Sequence, residues 1–465
     1  SPGLTPHHPP YKGSPMPQER NKILMESIRR LVRRNASSHL RKIVRKTHGA
    51  DLARIFPNLT RPQQHKLFDV IEDNQKKGFM FSELEEDSFL DFIEERKLEE
   101  IVGVLESMPS DDIADILERL PDEKSDAILQ KMKREGSEQV EELLGYAKDT
   151  AGGIMVPDFV ALREDATAGE AIKSLQVEHQ NVEMPFYLYS VDENGRLVGV
   201  CSLRQLVVNT PETPLRDFMS TDVFFVRVDT DQEEVARLVA RYDILAVPVV
   251  NHMNKLVGIV TVDDVIDIIR EEATEDFLKM AGAGAEFVET KSIFKSLRIR
   301  LPWLFASCLG GIAAFFIIGE FEESLQKITY LAAFIPVIMG MGGNVGTQSS
   351  TIVVRGLSTG RLHVRDIWKV VFKELSIGFL LGLFYGLLIG GVAQFQFTLY
   401  RLAISVGAAV ITSMSIAALV GSLVPMIFAR LNIDPAVATG PFVTTSIDII
   451  AVFCYFQIAT LLLGI

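Results

Sequence analysis

The sequence predicts a multidomain membrane protein. Its expected parts are a cytosolic α-helical, solenoid-like N domain, two tandem α/β modules, a linker helix and a C-terminal five-helix transmembrane bundle. Three observations carry this prediction. Apolar residues make up 48% of the 465 but are concentrated beyond Leu301. A short helical repeat occupies residues 105–129, and a longer strand-and-helix repeat occupies roughly 152–269.

In chain order, the opening SPGLTPHHPPYKGSP has no periodicity and reads, over 1–19, as a disordered leader or an expression remnant. Residues 20–149 carry helical patterning. NKILMESIRRLVRRNASSHLRKIVRK is a basic amphipathic stretch, suited either to anionic lipid or to the acidic body of the same chain. LESMPSDDIADIL (105–117) is then echoed by LERLPDEKSDAIL (117–129). Each copy ends one helix, turns at Pro109 or Pro121 and opens the next with acidic residues, as the helix dipole favours. Stacked helix pairs of this kind build a small solenoid. Capping and solvation alone account for Asp111, Asp112 and Asp115 at this level.

The longer repeat pairs LVGVCSLRQLV (197–207) with LVGIVTVDDVI (256–266), each preceded by an apolar strand and an amphipathic helix. It resembles a tandem pair of CBS domains, expected over 150–209 and 210–269. That resemblance implies a small-ligand sensor, and adenosine nucleotides are held in the family through a Ser/Thr-x-x-Asp step. Thr261 and Asp264 keep the step; the first copy has Ser202 but Gln205 in place of the Asp. ATP is therefore a candidate ligand of the second copy only, and a purely structural pair is the alternative.

Next comes VDDVIDIIREEATEDFLKMAGAG, within an expected connecting helix over 270–298. Asp264, Asp267 and Glu271 fall on one helical face, with Glu272, Glu275 and Asp276 close behind. Like charges so crowded destabilise a helix unless counter-ions bridge them. A solvated linker is the bland reading, whereas its place ahead of the first apolar run favours a gating helix clamped by cations.

Residues 299–465 hold five runs long enough to span a bilayer: Leu301–Gly319, Ile328–Val354, Leu375–Tyr400, Leu402–Ala429 and Pro435–Ile465. Lys291, Lys295, Arg298 and Arg300 precede the first run, and Arg355, Arg361, Arg365, Lys369 and Lys373 follow the second; the loop between these two runs is acidic. The N-terminal part is thus expected in the cytosol and the C-terminus outside. With no cleavable signal ahead of it, the first run is expected to direct insertion. Residues 51–299 carry about −24 of formal charge against an overall −13, which makes nucleic acid an improbable partner. Cys201, Cys308 and Cys454 have no metal-type spacing and fit a reducing compartment.

Asp448 lies inside the last run, where a charged side chain costs at least about 2.5–3.5 kcal/mol and marks an ion path more often than a stray charge. Thr444 and Thr445 share its face, Asp434 stands at the cytoplasmic mouth, and Asn344, Thr347 and Gln348 offer oxygens from the glycine-rich second run. Pro336 and Pro441 are expected to interrupt the second and fifth runs and free carbonyls toward a cavity. The donors are hard oxygens, suited to Mg2+, Ca2+ or Mn2+, and one carboxylate per chain suits a Mg2+ that keeps most of its water.

The layout from about residue 97 onward resembles the MgtE family of bacterial magnesium channels. The resemblance rests on AGGIM at the entry to the CBS pair, the ATEDF helix, GGNVGTQS, and DPA…GPFVTTSID. It implies a homodimeric Mg2+ channel of the bacterial inner membrane with five spans per chain and an ion site at Asp448. It also implies that the ATED-bearing helix is a plug locked by cytosolic Mg2+, with regulatory carboxylates at Asp111, Asp115, Asp243, Asp264, Asp267, Glu272, Glu275 and Asp276. The basic N-terminal helix and the segment before residue 97 depart from the family pattern. Two other classes fit worse. An anion carrier needs Lys or Arg at membrane depth, and an aspartyl protease needs a GxGD-like step; neither is present, and nothing else marks an enzyme. Transport of another divalent cation, Mn2+ or Co2+, is the nearest alternative.

Overall fold

The computed structural model describes residues 17–82, 84, 86–177, 186–282, 293–438 and 440–464. They form two compact units, one ending at Ile266 and one beginning at Asp267.

The first unit opens with the helices α1 (Pro17–Arg33), α2 (Ser37–Lys46), α3 (Gly49–Ile55), α4 (Arg61–Val70) and α5 (Asn74–Ser82). It continues with α6 (Glu86–Ile93), α7 (Leu98–Leu105), α8 (Ser110–Glu118), α9 (Asp122–Leu129) and α10 (Arg134–Leu144). The leader expected over 1–19 lies outside the described residues as far as residue 16, and α1 already begins at Pro17. The basic stretch packs on the acidic body of the chain. Leu40 and Val44 are buried, and Arg41 pairs with Glu72 at 2.9 Å. Phe56, Phe68, Phe81, Phe89 and Phe92 interlock beneath, with the Arg96 guanidinium over Phe68 and Phe92 and bonded to Asp69 at 2.7 Å. Pro109 and Pro121 stand at the N-caps of α8 and α9, so both copies of the short repeat turn where the sequence places them.

The longer repeat folds as two copies of one unit. β1 (Ala161–Arg163), α11 (Ala168–Val177), β2 (Tyr187–Val191), β3 (Leu197–Ser202) and α12 (Leu203–Val208) form the first. β4 (Val226–Arg227), α13 (Gln232–Tyr242), β5 (Ala246–Val250), β6 (Leu256–Thr261) and the start of α14 (Val262–Met280) form the second. In each sheet the outer strand runs parallel to the middle one, which is antiparallel to the last, and the register slips at Ser190/Val191 and Val249/Val250. Val156, Tyr189, Ala246 and Ile259 pack one sheet on the other. The AGGIM entry lies across the second copy: the amides of Ala151 and Gly152 bond to Thr230 and Val228, and Val156 pairs with Ile259. A Cβ on Gly152 would stand 2.7 Å from the Tyr146 ring, so glycine is required for this close pass. α14 runs unbroken from β6 through the ATED segment, so the boundary expected at 269/270 falls inside a helix.

The second unit contains α15 (Ile293–Glu320), the short α16 (Glu322–Lys327), α17 (Leu331–Ser358), α18 (Ile367–Phe397), α19 (Tyr400–Arg430) and α20 (Pro441–Leu463). Among the described residues α15, α18, α19 and α20 have the length and apolarity to cross a membrane. α17 is equally long at 28 residues, but its glycines and hydroxyls dilute its hydropathy. α19 sits centrally, packed on α17, α18 and α20, and α15 leans mainly on α20. Gly378, Gly382, Gly386 and Gly390 lie along the α18–α19 seam; a Cβ at Gly382 would come within 2.9 Å of the Ile411 Cα. Small residues four apart are what let two helix backbones approach this closely.

Two proline expectations are corrected. Pro441 does not interrupt a helix but starts α20 at its first turn, where a missing N–H costs nothing. Pro336 lies within α17, which continues past it as one helix. The run expected from Pro435 is accordingly a 3-10 turn, Pro435–Ala438, followed by α20.

Candidate metal centre

Asp448 projects from α20, half-buried, toward the glycine-lined part of α17: a Cβ placed on Gly343 would lie 3.7 Å from its Oδ1. The bare backbone of Gly343 leaves that space open, with only the Asp448 carboxylate within reach of an added Cβ. Ile447 fills the neighbouring notch against Gly346, which locks α20 to α17 in this register. One face of α17 is polar and exposed (Asn344, Thr347, Gln348 and Thr351), while Val345, Ser349, Val353 and Val354 form its buried face. A polar exposed stripe beside a carboxylate is suited to water and ions, not to lipid tails.

The other expected pore ligands are placed differently. Thr445 packs its Cγ2 so tightly on α15 that a Cβ on Gly310 would fall 1.6 Å from it, so its methyl serves as a wedge between α15 and α20. Thr444 donates to the Gly440 carbonyl at 3.0 Å. Asp434, expected at the mouth of the path, is held in an ion pair and a turn. Its Oδ2 receives the Lys279 ammonium at 2.6 Å, and its Oδ1 caps the turn at Ala436 at 2.8 Å. Lys279 bonds Glu275 as well. Burial works against that ammonium, but Asp434 and Glu275 outweigh it and hold its pKa above the ordinary lysine range.

Around Lys279 the end of α14 meets the C-terminal end of α17. Asp276 lies near Ser358 and Arg355 of α17 and near Asp434; burial, reinforced by Asp434, raises its carboxyl above the usual range. Glu272 is half-buried one turn earlier. Asp267 is exposed and pairs with Arg270 at 3.0 Å.

In the first unit, Asp264 is hydrogen-bonded by the Thr261 hydroxyl. Burial pushes its carboxyl up to about 6, and the negative charges of Asp263 and of Asp112 on α8 add to the effect. Asp115 stands exposed on α8 as a residue, yet the protein around its carboxyl raises its pKa against the pull of Arg119 and Lys148. Asp111 is half-buried in the first turn of the same helix. Asp243 is exposed and ends α13 in the left-handed conformation, φ 52°, a helix-stop role that suffices for it here. Ser202 and Gln205 form a reciprocal cap, and the Gln205 amide is spent on the Phe218 carbonyl at 2.9 Å, so this half has no free carboxylate for a ribose.

Among the described residues no three His, Cys, Asp or Glu side chains gather closely enough to hold a bare metal. The eight expected regulatory carboxylates therefore do not converge on one centre within a chain. What sequence reasoning missed is Asp112, facing Asp264, and Lys279, whose partner lies 155 residues away.

Comparison with known proteins shows the family and the domain order. The family profile described as divalent cation transporter, MgtE, matches residues 335–458. The MgtE intracellular N domain profile matches 47–149, and the CBS profile matches 151–209 and 215–271. The magnesium transporter MgtE of Thermus thermophilus is 41% identical over 327 residues, covering 70% of this chain and 72% of that protein. That of Bacillus subtilis is 38% identical over 325 residues, with 70% and 72% covered. A crystal structure of the cytosolic domain of the Mg2+ channel MgtE in complex with ATP superposes with a TM-score of 0.51 at 34% identity, covering 52% of this chain and 99% of that one. With more than two thirds of each chain aligned at such identity, and with Asn344 and Asp448 inside the matched transporter segment, this chain belongs to the MgtE family of divalent cation transporters.

Proposed function

We propose that the chain forms, as a homodimer in the bacterial inner membrane, a Mg2+-selective uptake path that cytosolic Mg2+ closes. The observation that carries the reading is Asp448 on α20, set against the glycine face of α17 beside the exposed Asn344 and Thr347. A two-fold axis along this face would put two such carboxylates on one path, enough to hold a hydrated Mg2+ through its water shell. The positive-inside rule keeps the N-terminus in the cytosol and, with α17 as a fifth span, puts the C-terminus outside.

Closure follows from charge. With Mg2+ absent, Asp112 and Asp264, and likewise Asp276 and Asp434, are like charges held near one another. Mg2+ bridging such pairs stabilises the assembled state, and its loss lets repulsion separate them. That is a population shift, and it requires tighter Mg2+ binding in the closed state. Asp111, Asp115, Asp243, Asp267, Glu272 and Glu275 belong to this regulatory set, Asp448 and Asn344 to the path. Thr261 and Asp264 would hold ATP, the ligand of the related cytosolic domain, in the second CBS copy.

Mg2+ uptake into proteoliposomes tests the path. Two elementary charges of the ion and one of the carboxylate about 5 Å apart interact by about 1.7 kcal/mol even at the dielectric of water. Asp448→Asn is therefore expected to lose more than tenfold in uptake with dimer and fold intact. Uptake equal to the parent would reject Asp448 as the pore site.

A further inference from the structure

α18 carries a carboxylate that the ion path does not use. Glu374 is only 4% exposed, as is Ser349 of α17, whose hydroxyl donates to Glu374 Oε2 at 2.9 Å. It is the one side-chain hydrogen bond between α17 and α18 among the described residues, and these helices otherwise touch little because α19 packs between them. The bond sits between two contacts of α17. One turn toward the cytosol, Val353, Val370 and Met426 close an apolar layer. On the other side α17 and α19 meet backbone to backbone, where a Cβ on Gly421 would lie 2.4 Å from the Gly346 carbonyl oxygen.

Neither of those two contacts fixes the rotation of α17 by itself, and Ile447 in the Gly346 notch and the Tyr455 hydroxyl on the Leu331 carbonyl hold α17 from the α20 side only. Glycine against glycine presents no side chain to interlock, and an apolar layer is non-directional. A hydrogen bond is directional. At 100° per residue, Ser349 lies on the back of α17, opposite the stripe of Asn344 and Thr347. Holding Ser349 toward α18 therefore aims that stripe away from it. A buried carboxylate is a costly way to make such a tie, and a hydroxyl–carboxylate bond is about twice as strong as a neutral one.

We infer that Glu374 is a positioning residue for the ion path: through Ser349 it sets the rotation of α17, and so which residues face the permeating ion. The inference rests on the transport reading above for its consequence, but its geometry is tested without transport. In a background with Cys201, Cys308 and Cys454 changed to Ser, single cysteines at 344, 345 and 347 are labelled with a membrane-impermeant thiol reagent. In the parent, positions 344 and 347 are expected to react at least about tenfold faster than the buried 345. Glu374→Ala and Ser349→Ala each remove the bond. They are expected to reduce that contrast to less than about threefold and to raise the KM for Mg2+, because the stripe would no longer be held toward the ion. Glu374→Gln keeps an acceptor for Ser349 and is expected to restore both. If Glu374→Ala lowers the Tm while leaving the labelling contrast and KM unchanged, Glu374 is a packing residue and the inference fails. It fails as well if Glu374→Gln matches Glu374→Ala. Labelling judges this inference and uptake by the parent judges the transport reading, so the two fail separately.

Discussion

Gly343→Ala separates the ion path from the fold with a single methyl group. The added Cβ would lie 3.7 Å from Asp448 Oδ1, an ordinary van der Waals contact, with nothing else close to it. Nothing must move to admit it. Glycine inside a helix is worse than alanine by about 0.8–1.0 kcal/mol, so the variant is expected to be as stable as the parent or slightly more so. The methyl group nevertheless takes the place of a water beside the carboxylate. If a hydrated cation pauses there, one outer-sphere hydrogen bond is lost, worth about 0.5–1.5 kcal/mol, or roughly two- to tenfold in uptake. The assay is Mg2+ uptake at matched protein levels, run beside a thermal melt. Gly310→Ala is the contrasting control: its Cβ would fall 1.6 Å from Thr445 Cγ2, so it should lose stability as well as uptake. Gly343→Ala with unchanged uptake would refute the placement of the ion between α17 and α20. A strong loss of Tm would refute the packing on which the argument rests.

The Asp264 carboxyl, raised to about 6, gives a pH prediction. In the ion-free protein its favourable contribution is full below the unfolded value near 3.8 and is lost as pH rises through about 6. Mg2+ needs the ionised form, so the Mg2+ midpoint for protease protection should rise about tenfold from pH 7 to pH 5, and Asp264→Asn should remove that dependence. Lys279→Met takes the cation off Asp434 and Glu275; hydrogen exchange over residues 267–282 should quicken in EDTA and recover at saturating Mg2+, and slow exchange in EDTA would show that the ion pair does not hold the helix. Calorimetry with ATP should lose its heat in Thr261→Ala and keep it in Gln205→Ala, because only the second copy carries a carboxylate at this step. Gly382→Ala brings a Cβ within 2.9 Å of the Ile411 backbone and should destabilise by about 1–3 kcal/mol in a detergent melt.

The features legible in the sequence are those set by local pattern. The twin strand registers follow from a repeat visible in LVGVCS and LVGIVT, the turns before α8 and α9 from Pro109 and Pro121, and the membrane helices from their apolar length. Asp448 stands out because a lone carboxylate in an apolar run is costly to keep unless water or an ion meets it. Pairings across long sequence separations were not legible. Lys279 and Asp434 are 155 residues apart and Ser349 and Glu374 come from different helices, so no spacing announces either pair. Pro441 misled because an apolar run does not show where its helix begins, whereas the structure puts this proline in the first turn of α20.

The glycine seam between α18 and α19 has a mechanical consequence. Sliding one helix along the other would drive the Ile411 side chain out of the groove beside Gly386, where a Cβ would stand 2.9 Å from Ile411 Cγ1, and onto the next turn. The two helices are geared like a rack without play and move as a single strut. α15 is held mainly through α20, and Ile447 of α20 keys into α17 at Gly346, so these three helices hang together, with the Ser349–Glu374 bond as their tie to α18. Under the proposed transport reading, any travel that widens or narrows a passage beside Asp448 would fall to α15, α17 and α20, running on a stator made of the other two helices.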